Sequence, residues 1–307
     1  MPSTLLRPVQ DEQNPVFLSI GHVTRDLLPD GAFTLGGTAT FAALTAHHLG
    51  LASAIVTHAD EALQGQLPSL LPEIALAVHS APVTTAFENS YSEGFRTQYL
   101  RARAPQLELT DIPRAWLTAP IILLGPLAQE IPLSLIQGLP RQPGSLLAAT
   151  PQGWLRRWEA DGRVWPAAWE AAEETLLLLD ALILSHDDLL PFADNQRDAA
   201  DAMLAAWSMH VPLLVATDGR CGATLFERGV TTRFPAYPAT EVDPTGAGDV
   251  FAAAFLIHLS QHRDPHAAMS FANCVASLSV EQPGITGIPT REQIKERILH
   301  VRKRRET

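Results

Sequence analysis

The sequence predicts an α/β fold on a mainly parallel sheet, with a small antiparallel excursion from it. Three observations carry this. Short apolar runs alternate with helical stretches over residues 15–57, which gives a β-α-β rhythm. The same rhythm returns from Pro120 onward. Between the two, residues 84–109 (TTAFENSYSEGFRTQYLRARAPQLEL) alternate polar and aromatic residues around a Ser-Glu-Gly break that suits a hairpin.

Taken in order, a polar N-terminal tail leads to Pro15–Ile20 (PVFLSI), a buried strand ending at Gly21. A second extended element, Gly31–Leu35, precedes Gly36 and Gly37. Thr38–Leu49 repeats small and apolar residues at helical spacing, Gly50 caps it, and Ala52–Thr57 is the next strand. After the excursion, Ile121–Gly125 (IILLG), the Leu147–Thr150 region, LLDALILS and PLLVAT supply further strands, with a helix over Asp198–His210 between the last two. Phe251–Ser260 and Pro265–Val280 are apolar helices, and Arg291–Arg305 is a charged amphipathic closing helix. With no repeat, low-complexity stretch or linker, residues 1–307 read as one domain.

Composition narrows the partners. The chain is 46% hydrophobic and 18% charged, so it buries a substantial core. Its 33 acidic residues against 22 basic ones give a net charge of −11, which argues against nucleic acid and anionic membrane surfaces and for a small-molecule partner. Cys221 and Cys274 are too few for a disulfide framework, and the start lacks a basic-then-apolar leader, so a reduced, cytoplasmic location is expected. No apolar run reaches the ~18 residues of a membrane span. Lysine occurs only at Lys295 and Lys303, in the tail, which excludes a Walker A loop and argues against Schiff-base chemistry. HExxH, GxSxG and full GxGxxG patterns are absent as well.

The most informative stretch is Val242–Phe255, VDPTGAGDVFAAAF. Its glycines let the backbone turn tightly and approach a ligand. The first amides of the helix that follows lack intrahelical acceptors, and the helix dipole adds partial positive charge, so Gly246, Ala247 and Gly248 mark an anion site. Asp249 beside that site has the chemistry to take a proton from an alcohol attacking a phosphoryl group held there. A bare GAGD equally suits simple helix capping.

DPTGAGD followed by a small-residue apolar helix resembles the C-terminal signature of the ribokinase-like, PfkB-type carbohydrate kinases. The resemblance extends from Gly21-x-x-x-x-Asp26 and Gly36-Gly37, through Thr217-Asp218-Gly219-Arg220-Cys221-Gly222, to Ala272-Asn273. It implies a three-layer α-β-α sandwich with a small β lid contributed by about residues 23–35 and 84–109, and an ATP- and Mg²⁺-dependent kinase acting on a sugar or cyclitol hydroxyl. Asp249 is implied as the catalytic base, with Gly246, Ala247 and Gly248 as the anion hole. Thr217, Gly219, Gly222 and Asn273 are implied at the nucleotide, and Asp26, Gly36, Gly37 and Glu130 at the acceptor. A K⁺ site near Asp243, Thr245 and the Gly284–Gly287 loop is also implied.

This chain departs from ribokinase-type members at Thr24 and Phe41, where those carry Asn, which puts a ribose-like hydrogen-bond set in doubt. The family's Asn-x-x-Glu element reads here as Ser185-His186-Asp187-Asp188, keeping an acid, Asp188, for Mg²⁺ through water but losing the amide at Ser185. Within the family, Thr84–Arg101 and GGTATF resemble the myo-inositol kinase branch, which implies Glu88 and Arg96 at the acceptor pocket. Kinases of fructose, a sugar phosphate or a nucleoside remain alternatives, as does a catalytically silent metabolite binder. The exposed lid edge leaves monomer and homodimer open. His258, His262 and His266 are spaced by four, but Pro265 breaks the register needed for a metal site, and Trp154, Trp158, Trp165 and Trp169 read as packing.

Overall fold

The computed structural model describes the backbone of residues 14–92 and 95–306, and the side chains of these except 90–92, 95, 96 and 302–306. The polar tail up to residue 13 lies outside the described residues. From β1 (Phe17–Ile20) the chain detours through β2 (Thr24–Leu27) and β3 (Phe33–Gly36), and α1 (Thr38–His48) then returns it to β4 (Ser53–Ala59). Next come α2 (Glu61–Leu70) and β5 (Ala75–Ser80), followed by a second detour, β6 (Ala86–Ser92) and β7 (Phe95–Ala102). The rhythm resumes with β8 (Ile121–Leu124), α3 (Leu133–Gly138), β9 (Leu146–Ala149), a hairpin of β10 (Arg156–Trp158) and β11 (Val164–Pro166), α4 (Ala172–Leu176), β12 (Ala181–Ser185), α5 (Arg197–Trp207) and β13 (Leu213–Thr217). An antiparallel hairpin of β14 (Ala223–Glu227) and β15 (Val230–Phe234) precedes α6 (Ala247–His262), α7 (Pro265–Ser279) and α8 (Arg291–Glu306).

The main sheet runs β15-β14-β13-β12-β9-β8-β1-β4-β5, and its strands from β13 to β5 are parallel. Strand pleating sends alternate residues to opposite faces. Phe17, Leu123, Ile183 and Val215 pack with α1, α6 and α7 on one side, while Leu18, Ile122, Leu182 and Leu214 pack with α3, α4 and α5 on the other. Both faces are covered, which is why these strands read as unbroken apolar runs. The expected three-layer α-β-α sandwich is therefore present.

The lid is a separate sheet in the order β3-β2-β6-β7. It is antiparallel at β2–β3 and at β6–β7, the hairpin expected over residues 84–109, and parallel at β2–β6. The reason is topological: β2 follows β1 and β6 follows β5, so both leave the same edge of a parallel sheet in one direction. Among the described residues no helix is long and apolar enough to cross a membrane.

Candidate active site

Open α/β sheets bind ligands at the carboxyl ends of their parallel strands. Asp249 stands in the first turn of α6, beside that edge. Gly246, the residue before the helix, has φ +76°, and a Cβ there would strike the Phe41 ring at 2.3 Å, so only glycine fits. Phe41, which stands where ribokinase-type members have Asn, is thereby committed to packing under the turn. A Cβ at Gly248 would meet nothing within 4 Å. The Ala247 amide donates to Pro244 O and the Val250 amide to Gly246 O, whereas no acceptor within the described residues takes the amides of Gly248 and Asp249. These are the free helix-start donors that the glycine-rich turn implies.

The Asp249 carboxyl does not point into open solvent. Thr38 Oγ1, at the start of α1, donates to Asp249 Oδ1 at 2.7 Å. Burial, the largest influence, pushes the Asp249 pKa up to about 6; the Thr38 bond and Arg156 pull it down, and Asp188 and Asp26 push it further up. Three carboxylates and one guanidinium thus converge electrostatically, although they come from β2, α6, the turn after β12 and the start of β10.

Gly36 and Gly37 join the lid to α1. A Cβ on Gly36 would lie 2.3 Å from Asp26 Oδ2, and one on Gly37, at φ +92°, would lie 2.4 Å from His22 O. The pair therefore lets the Asp26 carboxylate pass close to the α1 entry. Thr24 Oγ1 donates to Asp26 Oδ1 at 3.2 Å. Register decides which lid residues share this face. Asp26 pairs with Thr34 and Phe87, and Phe87 with Leu100, so Asn89 and Gln98 face the same way two residues further along. The Gln98 amide donates to Asn89 Oδ1 at 3.2 Å. The sequence reading passed over both amides, although the alternation around Phe87 carries the signal.

Two expected acceptor contacts lie elsewhere. Glu88 alternates to the opposite lid face from Asp26, where its carboxylate accepts from Arg101 Nε at 2.7 Å with both side chains partly exposed. Glu130 is 0% exposed, and its carboxylate accepts amide hydrogens from Leu127, Ala128 and His22. It satisfies a buried turn after β8 rather than facing an acceptor, because a carboxylate so deeply placed must be hydrogen-bonded from within the fold. Arg96 lies on β7, but its side chain falls outside the described residues.

On the donor side, Ser185 and Thr217 are register partners at the carboxyl ends of β12 and β13. Gly219 and Gly222 have φ +47° and +96°, and a Cβ on Gly222 would strike Phe234 O at 2.0 Å, so the loop after β13 holds a turn that side chains would block. Ser185 Oγ accepts the Asp187 amide, and Asp188 Oδ2 accepts the Ser185 amide at 3.1 Å. Burial, above all, raises the Asp188 pKa, while Arg156 and a hydrogen bond from Gln152 oppose it. Asn273 is buried in α7 with Nδ2 lacking an acceptor, a group a ligand would satisfy. Mg²⁺ takes one or two carboxylates plus waters and phosphate oxygens, so the Asp188 site fits it.

Asp243 Oδ1 accepts the Thr245 amide and Oδ2 the Gly284 amide, both at 2.9 Å, so the two loops expected to form a K⁺ site do meet. The three histidines do not gather: the His258 and His262 rings lie tilted at 42° with centroids 4.3 Å apart, while His266 turns to Phe234 and Glu227. Trp154 stacks on Trp169, which meets Trp207 edge-on, so these rings are packing.

Comparison with known proteins agrees with the resemblance read from the motifs. The pfkB family carbohydrate kinase model matches residues 156–291. A ribokinase of Bacillus subtilis (strain 168) is 39% identical over 92 residues, 30% of this chain and 31% of that protein. A fructokinase of Klebsiella pneumoniae is 29% identical over 134 residues, 41% of this chain and 43% of that one. The chain thus matches less than half the length of each. Among solved structures, a pyrophosphate-dependent kinase in the ribokinase family, complexed with a pyrophosphate analog and myo-inositol, superposes with a TM-score of 0.76 at 24% identity, over 91% of this chain and 99% of that one. A ribokinase of Arabidopsis thaliana complexed with ribose and ATP gives 0.68 at 19% identity, over 93% and 99%. At these identities the structural likeness establishes the ribokinase-like fold.

Proposed function

We propose that the chain is a kinase that transfers a terminal phosphoryl group, from ATP, to a hydroxyl of a sugar or cyclitol, with myo-inositol the favoured acceptor. The observation that carries this reading is Asp249 itself. Its carboxylate is oriented by Thr38, raised to about 6, and set beside the unpaired Gly248 and Asp249 amides. A base poised near neutral pH beside preorganised anion donors is what in-line attack of an alcohol on a phosphoryl group needs.

Asp249 takes the hydroxyl proton, and the helix-start amides hold the charge on the transferring group. Asp26, Asn89 and Gln98 offer acceptors and donors for the other hydroxyls of a polyol. The Thr217–Gly222 loop and Asn273 hold the nucleotide. Asp188 would hold Mg²⁺, which would supply positive charge against that of the phosphates. Pyrophosphate as the donor is the second reading, supported by the solved relative described as pyrophosphate-dependent.

The test is product release over a panel of polyols, ketoses, sugar phosphates and nucleosides, with ATP and with pyrophosphate as donors. Turnover with a polyol is the expected result. Ligand-dependent thermal shifts without donor consumption under any acceptor would mark a silent binder and overturn the kinase reading.

A further inference from the structure

The lid is joined to the main body by four stretches of chain: residues 21–23 after β1, Gly37 after β3, residues 81–85 before β6 and residues 103–107 after β7. All four meet at His22, which is 0% exposed. Its Nε2 lies 3.0 Å from Pro105 O, in the fourth stretch. A carbonyl only accepts, so Nε2 carries the ring proton, and in a neutral ring Nδ1 is left as an acceptor. Nδ1 lies 2.7 Å from Thr85 Oγ1, in the third stretch, which therefore donates to it while accepting the Ala104 amide at 3.0 Å. Burial, above all, holds the His22 pKa below its ordinary value and keeps the ring neutral, and the His58 ring stacks on it with centroids 6.1 Å apart. The main chain is engaged as well. The His22 amide donates to Glu130 Oε1 at 3.3 Å, and its carbonyl oxygen is the atom that a Cβ on Gly37, in the second stretch, would strike. Thr85 O, in turn, accepts the Arg25 amide at 3.0 Å where β2 begins to pair with β6. The ring thus sets the height of β2 against that of the β6–β7 hairpin.

We infer that His22 is a positioning residue for the acceptor: its ring pins the stems of the lid together, so that Asp26 on β2 and Asn89 and Gln98 on the β6–β7 hairpin stand at one fixed height over the main sheet. The inference rests on the kinase reading above, in which those three side chains meet the acceptor. His22 is buried beneath the lid and acts through the strands rather than by contact. An imidazole suits the task because one rigid ring presents a donor and an acceptor in fixed directions, so neither link lengthens without breaking. Misplacing a substrate by about 1 Å costs on the order of 10²-fold in rate, so the link matters to the reaction even where the fold survives its loss.

The experiment takes the full chain with Thr85→Val, Thr85→Ser or His22→Phe and measures acceptor KM, donor KM and kcat, together with amide hydrogen exchange. The acceptors are myo-inositol and the best-used member of the panel above. Thr85→Val removes the hydroxyl between the ring and Ala104. It is expected to raise the acceptor KM by about 3- to 10-fold, the range of one net hydrogen bond, with the donor KM within about twofold. His22→Phe keeps a ring but loses both links, and a rise of about 10- to 100-fold is expected. Thr85→Ser, which keeps the hydroxyl, is expected to stay within about twofold of the parent. Exchange is expected to quicken in β2, β6 and β7 but not in β8, β9 or β12. Gly229→Ala, at φ +77° in the turn between β14 and β15 where a Cβ meets nothing within 4 Å, weakens the fold away from the lid and is expected to leave the acceptor KM unchanged. Acceptor KM within about twofold of the parent in both Thr85→Val and His22→Phe would overturn the assignment. So would donor and acceptor KM rising together, exchange quickened through the whole main sheet, or failure of both variants to fold. A parent chain that transfers to no acceptor would instead remove the kinase reading, and this inference with it.

Discussion

Replacing Asp249 by Asn separates chemistry from stability, because the structure predicts opposite signs for the two. The carboxylate is pushed up to about 6 from 3.8, chiefly by burial. An acid whose pKa rises on folding penalises the folded state at any pH above its unfolded value, in full once pH exceeds the folded value. At pH 7 the penalty is at most about 3 kcal/mol, taken at about 1.4 kcal/mol per unit of pKa, and it vanishes below about pH 4. Asn keeps the shape and an acceptor oxygen for Thr38 Oγ1 but carries no charge. Asp249→Asn is therefore expected to unfold at a higher temperature than the parent at pH 7 and at a similar one near pH 4. Turnover is expected to fall by ~10²–10⁴, or roughly 3–5 kcal/mol of barrier, through loss of the positioned base. Thermal unfolding from pH 4 to 8 and product release measured on the same preparations check both halves. Parental turnover with a verified acceptor would refute the base assignment, and a stability difference independent of pH would refute the account of the buried charge.

Three further substitutions probe the surroundings. Thr38→Val removes the bond that lowers the Asp249 pKa, so the acid limb of the kcat/KM profile is expected to move to higher pH; a pH-rate series reads this directly. Gly37→Ala forces a Cβ to 2.4 Å from His22 O at φ +92°, and a loss of more than about 1 kcal/mol in denaturant unfolding is expected. Glu130→Gln turns one oxygen that accepts buried amides into a donor, so it is expected to cost about 1–3 kcal/mol in denaturant unfolding while leaving the acceptor KM of the folded fraction unchanged.

What was legible in the sequence follows from how each signal arises. Parallel strands covered on both faces leave apolar runs, and a helix-start anion site leaves glycines, so the main sheet and the Gly246–Asp249 turn could be read directly. The α2 helix was not read: Gly65 and Pro68 interrupt its pattern, and its start is fixed by Asp60, whose side chain accepts from Leu63 N. The β14–β15 hairpin went unread although Arg228-Gly229, at φ +50° and +77°, is a legible tight-turn signal. Glu88 and Glu130 show a different limit. Their residue type suited an acceptor pocket, but only register put Glu88 on the wrong lid face, and only tertiary burial committed Glu130 to amides.

On the proposed function, acceptor capture and base orientation belong to one piece of chain. Gly36 ends a lid strand beside Asp26, and Gly37 turns the backbone against His22 O. Thr38 then begins α1 with its hydroxyl on Asp249. Two peptide units separate the residue that clears space for the acceptor-side carboxylate from the one that holds the base. A displacement of β3 on the scale of an ångström would lengthen the 2.7 Å Thr38–Asp249 bond beyond hydrogen-bond range. The pKa of Asp249 would then rise, so a lid strand out of place would leave the base protonated at a pH where the parent arrangement keeps it ready. On this reasoning, Gly37→Ala should shift the acid limb of the rate profile to higher pH, as Thr38→Val does, in addition to weakening the fold. An unshifted limb in folded Gly37→Ala would show that the lid and the base are not mechanically linked.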